Sequence, residues 1–500
     1  MAVRRAHNRW HYWMLFNSLE FLIFFPVVTT LFFLLGRRER VYLLIVASCV
    51  FYMAFIPAYI LIILFLILVD YTAGLLIERS QGRRRKTMLL MSLIANCSLL
   101  GFFKYFNFFN DNFAAIFGWL GWSYSIANMS IILPIGLSFH TFQSMSYTIE
   151  VYRGKQQAVH SLPKFAVYVL FYPQLVAGPI ERPQNLLHQF DEDHRFDYDR
   201  VVDGLKLMTW GMFKKVVVAD RLAVVANGVY NDPSACNGPL LAIGTVAFAY
   251  QIYCDFSGYS DIAIGAARVM GFKLMTNFNR PYYAKSISEF WSRWHISLST
   301  WFRDYVYIPL GGNRVSKPRW YVNLMIVFLV SGLWHGANWT FVIWGALHGT
   351  YLVVGVLTHD LRERFAHRIG LTRLPRLRNL WRMGVVFLLV TVGWIFFRAG
   401  SVQDAWYVLT HLATGWNQVP SPAALLSQLD RLGIGSTTIL LACLGLAILE
   451  SLQLGQRHTS LRAWVARRPA YVRWPLYYGA LACIILLGVF TKSQFIYFQF

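Results

Sequence analysis

Charge is scarce in this 500-residue chain. Asp, Glu, Lys and Arg make up 14%, where an ordinary soluble domain carries about 25%. Hydrophobic residues reach 56%, and that much apolar surface cannot all be hidden inside a water-soluble globule. Acidic residues are scarcer than basic ones, 24 against 46, for a formal net charge of +22. In a soluble chain this excess would suggest nucleic acid, but no basic stripe is interleaved with exposed polar structure. No nucleic-acid partner is expected; Lys and Arg in short loops follow the positive-inside rule and meet anionic lipid. The six cysteines contain no CxxC pair, and most sit in apolar runs as small hydrophobes. Neither a disulfide framework nor a metal site is expected. No period of roughly 20–50 residues repeats, and no paired broken spans mark two transporter halves.

What is abundant is aromatic: 17%, with 18 Trp, 27 Tyr and 39 Phe. Disorder, coiled coil and collagen are thereby excluded, and the chain reads as an all-α polytopic membrane protein. A spanning helix takes about 20 apolar residues. Candidate spans fall near 14–35, 41–56, 57–77, 87–105, 129–150, 203–231, 238–256, 321–358, 379–398, 434–452 and 473–491. Their number is about ten to twelve, because the uncharged run 321–358 can hold two short spans or one long tilted one. The apolar segment 163–180 is short and bracketed by prolines, and reads as re-entrant, which protein or water must then cover. The basic loops 36–40 and 78–86 are two spans apart, so they share one side, the cytoplasmic one. The aromatic loop 106–128 then lies outside. Residues 1–13 are basic and aromatic and lack a small-residue cleavage site. Met14 opens a more typical membrane start, so this extension reads as dispensable.

Polar information concentrates between 250 and 350. Asp255, Tyr259 and Asp261 crowd the edge of a membrane segment. Intramembrane ionisable residues are functional candidates by default, and a buried hydrogen-bond network joining broken helices is the competing reading. Residues 277–314 are too polar to span and too aromatic for a free loop: Trp294 and Trp301 alternate with Arg293, His295, Arg303 and Asp304. Such a segment should be an amphipathic helix at the bilayer surface, and its cations among aromatics could hold a donor's phosphates. His335, beside Trp334, lies deep in an uncharged run between Gly332 and Gly336. A lone membrane histidine is more often a hydrogen-bond partner between helices than a catalyst. The flanking glycines allow close backbone approach. Asn338 falls three residues on, within reach on one helical face, and histidine is the usual base for activating a hydroxyl. His140 and His348 read as structural.

Five strings carry a resemblance: LPIGLSFHTFQSMSYTIEVYRG, FYPQLVAGPIERP, YCDFSGYSDIAIG, FWSRWHISLSTWFRDYVYIPLGGNR and GLWHGANWTFVIWGALHG. Together they resemble the membrane-bound O-acyltransferase family, in its bacterial alginate O-acetyltransferase branch. That branch includes peptidoglycan and cellulose acetylation proteins and a D-alanyl transfer protein. The resemblance runs from about Met14 to Phe500. It implies a helical funnel with a water-accessible centre, divided into N-terminal helices (14–125), a catalytic core (126–358) and C-terminal interfacial and membrane helices (359–500). The family's near-invariant membrane histidine falls on His335 and its second histidine on His295. Asn338, Trp334, Trp294, Arg303, Asp304, Asp255, Tyr259 and Asp261 become candidates for substrate contact, oxyanion support or the funnel lining. The implied activity moves an acetyl group from acetyl-CoA across a bacterial inner membrane, with no permanently bound cofactor. A periplasmic or extracellular transferase then delivers it to a polysaccharide. Tyr497, in the aromatic ending TKSQFIYFQF, is a possible acyl carrier, with interfacial anchoring as the plainer reading. A polysaccharide or lipid-linked sugar transporter and a synthase scaffold are the competing functions.

Overall fold

A computed structural model describes residues 14–130, 133–176, 178–419, 421–455, 461–490 and 495–496. The extension 1–13 and Tyr497 lie outside the described residues. Among the described residues all regular structure is helical. Among these described residues seven helices are long and apolar enough to cross a membrane: Pro57–Arg79, Gly82–Trp119, Gly238–Met270, Trp339–Leu357, Pro375–Arg398, Ser436–Gly455 and Ala470–Leu487. Leu61, Phe65 and Leu68 on the first of these, and Ile485 and Leu486 on the last, are exposed. Hydrocarbon surroundings suit such surface and water does not. The chain is a multi-pass membrane protein.

Some expected spans take other forms. Leu19–Leu34 is apolar but has only 16 residues. The run 321–358 resolves into two helices, Lys317–His335 and Trp339–Leu357. The segment 106–128 is not a simple loop, because Phe106–Trp119 continues the preceding helix through a π turn at Gly101–Tyr105. Its asparagines bind the returning chain. Asn107 exchanges bonds of 2.8 and 2.9 Å with the Met129 backbone, and Asn110 donates to the Ile126 carbonyl at 3.1 Å.

The chain packs as two compact units. The first holds the residues up to Trp210 together with Tyr259–Met275; the second holds Gly211–Gly258 and the chain from Thr276 onward.

In the first unit Asp70 is fully buried on the Pro57–Arg79 helix. It accepts from Ser92 at 2.6 Å and from Asn96 at 3.0 Å, so its oxygens meet donors in place of water. The proline-bracketed segment forms two short helices, Leu162–Leu170 and Tyr172–Leu175. Side chains satisfy its interrupted backbone: Ser48 accepts from the Tyr172 N–H at 3.0 Å, and Gln174 donates to the Tyr168 carbonyl at 3.0 Å. That protein cover is what non-helical backbone at membrane depth requires. At one end of this unit the polar loops interlock. Asp191 meets Arg37 at 3.7 Å and Lys164 more closely, and Glu78 accepts from the Ala158 N–H at 2.8 Å. The ends of spans that flank the two basic loops thus share one face of the unit.

In the second unit Lys317–His335 and Trp339–Leu357 form an antiparallel hairpin. Their contact is set by glycine. A Cβ on Gly332 would sit 2.3 Å from the Phe341 carbonyl oxygen, and one on Gly345 would sit 2.3 Å from the Phe328 carbonyl oxygen. Only residues without side chains let the two backbones come this close. Trp344 of the second helix stacks on Trp394 at 6.2 Å, which in turn meets Trp294 at 4.9 Å, and each of the three has 1% exposure or less.

Candidate active site

The polar–aromatic segment folds as two seven-residue helices, Ile287–Arg293 and Ile296–Phe302. His295 stands between them with φ 43°, one of two non-glycine residues with positive φ among the described residues. This conformation costs an L-residue roughly 1–2 kcal/mol, so the surroundings must impose it. Asn277 supplies the constraint. Its Oδ1 accepts from the Ser297 N–H at 3.2 Å and from the Ser297 hydroxyl at 3.0 Å, and lies 3.1 Å from His295 Nδ1. A backbone N–H can only donate, so the atom at the centre of this network is the amide oxygen. Nδ1 of His295 therefore carries the hydrogen, and Nε2 keeps its lone pair. Burial holds the His295 pKa down to about 3, so the ring stays neutral. The ring packs edge-on against Phe256 at 4.6 Å and Trp334 at 6.2 Å.

Trp334 joins the two histidines, since its ring also meets His335 at 5.0 Å. His335 is buried, and Trp344 at 4.9 Å and Phe397 at 5.3 Å complete an aromatic box around it. It is the last residue of its helix. The last carbonyls of a helix have no intrahelical partner and leave its C-terminus partially negative. The expected shared helical face of His335 and Asn338 does not form. The helix stops at His335, and Asn338 is the N-cap of the next one, its Oδ1 accepting from the Thr340 N–H at 3.0 Å. Asparagine competes for backbone groups and prefers such caps to helix interiors.

The other candidates fall in several places. Trp294 is core, stacked on Phe290 at 5.5 Å and tilted against Trp394 at 4.9 Å. Arg303 is exposed and bonds its neighbour Asp304 at 2.8 Å. Asp255 is buried in the second unit, 2.7 Å from Lys215 Nζ. Tyr259 and Asp261 belong to the first unit, where Tyr259 stacks on Phe16 at 4.4 Å. Sequence reasoning missed Asn277, Ser297, Trp344, Phe397 and Lys215. Asn277 and Phe397 lie far along the chain from the histidines they serve, and no spacing rule links them.

A membrane protein that buries two histidines in an aromatic chamber, one of them with an oriented neutral ring, has the parts of an enzyme site. The chain belongs to MBOAT, the membrane-bound O-acyltransferase family, whose family model matches residues 140–401. It is 43% identical over 397 residues to the probable alginate O-acetylase AlgI of Pseudomonas aeruginosa, covering 79% of this chain and 74% of that one. The peptidoglycan O-acetyltransferase of Helicobacter pylori is 36% identical over 429 residues, covering 79% of each. The teichoic acid D-alanyltransferase of Bacillus subtilis is 29% identical over 237 residues, covering 45% of this chain and 59% of that protein. The protein is an O-acyltransferase, and the transporter and scaffold readings give way to acyl transfer.

Proposed function

We propose that the protein takes an acetyl group from acetyl-CoA on the cytoplasmic side of a bacterial inner membrane and passes it outward for O-acetylation of a polysaccharide. His335 is the general base. A nitrogen of its ring takes the proton of an acceptor hydroxyl, and the oxygen attacks the thioester carbonyl. The tetrahedral oxyanion collapses, the C–S bond breaks, and the coenzyme A thiolate recovers the proton from the imidazolium. Ester and free thiol are the products. The observation that carries the assignment is His335's place at a helix C-terminus inside an aromatic box, where positive charge is favoured and bulk water is excluded.

His295 takes a different part. With Nδ1 occupied by Asn277, Nε2 is an acceptor, suited to orienting a hydroxyl or thiol. In this tautomer it has no hydrogen at Nε2 to offer an oxyanion. The Asn338 amide nitrogen, which its cap does not use, and backbone N–H groups are the donors that suit that role. Moving only the acyl group spares the charged coenzyme a costly passage through the bilayer. In this scheme a separate transferase on the outer side completes delivery, and Tyr497 is the carrier that hands over the ester. The names of the relatives point to alginate or peptidoglycan as the polymer.

The test is His335→Ala in purified protein, with transfer from labelled acetyl-CoA as the readout. Loss of a general base costs about 10²–10⁴-fold. A near-parental rate in a folded variant would end the assignment.

A further inference from the structure

Lys214 and Lys215 are both buried within the π-helical stretch Phe213–Ala219. Lys214 donates to Ser257 at 2.9 Å. Lys215 stands between two buried carboxylates, Asp220 at 2.8 Å and Asp255 at 2.7 Å. Lys215 faces only one oxygen of Asp255, Oδ1, and a buried carboxylate is kept only where its other oxygen is also hydrogen-bonded. That bond comes from far along the chain: the backbone N–H of Ile496 donates to Asp255 Oδ2 at 2.8 Å.

The chain reaches that point along a pinned route. Arg221 donates to the Leu487 carbonyl at 2.6 Å, and the Val489 N–H donates to the Val216 carbonyl at 2.9 Å. Phe495 and Ile496 are then buried at 1% and 2% exposure. Phe495 packs edge-on against Phe256 at 5.7 Å, and the Phe256 ring is the one that meets His295 at 4.6 Å. Asp255 and Phe256 are consecutive. One residue therefore grips the backbone of the late segment while the next carries its side-chain contact to the histidine.

We propose that Asp255 is a positioning residue for acyl transfer. Held by Lys215, its carboxylate clamps the Ile496 N–H and seats Phe495 on Phe256, which closes the wall of the His295 site. Lys215 and the Ile496 N–H face the two oxygens of Asp255, and the segment it grips is the one that leads into Tyr497. The clamp acts on His295 through Phe256 and does not require Tyr497 to be acylated.

The experiment uses the full chain and a double-mutant cycle on the transfer rate from labelled acetyl-CoA, with thermal unfolding in detergent as the folding control. Ile496→Pro removes the N–H and leaves the ion pairs whole; Asp255→Ala removes the acceptor; Ile496→Ala keeps the N–H and trims the side chain. The clamp predicts a loss of roughly ten-fold or more for Ile496→Pro, the scale of one hydrogen bond to a charged group, and a smaller loss for Ile496→Ala. In the double variant the two losses should not add, because both remove the same bond. If Asp255 serves only to balance Lys215, Asp255→Ala will unfold or inactivate the protein while Ile496→Pro retains the parental rate, and that result overturns the proposal. So does full additivity. Should Asp255→Ala fail to fold, the comparison of Ile496→Pro with Ile496→Ala decides alone. Tyr497→Phe separates this proposal from the carrier reading. A parental rate in that variant ends the carrier and leaves the clamp standing, whereas equal rates for Ile496→Pro and Ile496→Ala end the clamp whatever Tyr497 does.

Discussion

Gly332→Ala adds one methyl group, and the geometry of the hairpin says where that group must go. The new Cβ would lie 2.3 Å from the Phe341 carbonyl oxygen and 3.3 Å from the Gly345 Cα. Neither neighbour is the end of a flexible side chain, so no rotamer change relieves the clash. Ordinary contact requires the two helices to separate by roughly 1 Å, and overpacking of this kind costs about 1–3 kcal/mol. The hairpin can bear that, so the variant should still insert and fold. His335 lies three residues further along the same helix, within one turn of the displaced point, and its ring is boxed by Trp344 on the opposite helix. A misplacement of about 1 Å at a reacting centre can cost on the order of 10²-fold in rate. We therefore expect Gly332→Ala to lower transfer from labelled acetyl-CoA about 10²-fold, with an unfolding temperature lowered by a few degrees. Gly355→Ala on the facing helix is the control, since a Cβ there meets nothing within 4 Å, and it should leave the rate unchanged. A Gly332→Ala protein with parental transfer would show that the close approach does not set the His335 geometry, and the reasoning would fail.

The other predictions concern the second histidine and the aromatic ending. His295→Gln should lower transfer less than His335→Ala does, because the proposed mechanism has the Asn277-bound ring orient and not move a proton; an equal loss in both variants would reverse the roles. The same ring gives a pH dependence. Its folded pKa is depressed to about 3, against about 6.5 for an unfolded histidine, so the unfolded chain takes a proton that the folded chain refuses. Stability should fall as pH drops from about 6.5 toward 3, and His295→Gln should flatten that slope; an unchanged slope in unfolding measurements would refute the assignment. Tyr497→Phe keeps the aromatic ring and removes the hydroxyl. The carrier role predicts loss of polymer acetylation and of any acetyl group on the peptide containing residue 497 by mass spectrometry, while anchoring predicts neither.

The low charge and long apolar runs by themselves made this a helical membrane protein, because an apolar run of about 20 residues crosses hydrocarbon as a helix that satisfies its own backbone groups. Motif strings carried the family, and the WHGAN and RWHISLS strings singled out His335 and His295 before any coordinates. Local patterns also made 163–180 read as re-entrant, and the structure covers its broken backbone with Ser48 and Gln174. Other features were out of reach for any local rule. The helical form of 106–119 depends on asparagines bonding a segment some 20 residues away. The run 321–358 could hold one span or two, and the structure decides for two, ending the first at His335 and starting the next at the Asn338 cap. The tautomer of His295 follows from Asn277, 18 positions earlier, and the clamp at Asp255 follows from a backbone N–H 241 positions later. Composition and periodicity report the solvent a segment prefers and the chemistry it can offer. Which nitrogen holds the proton, and which carboxylate holds the chain, are decided by partners brought together only when the helices pack.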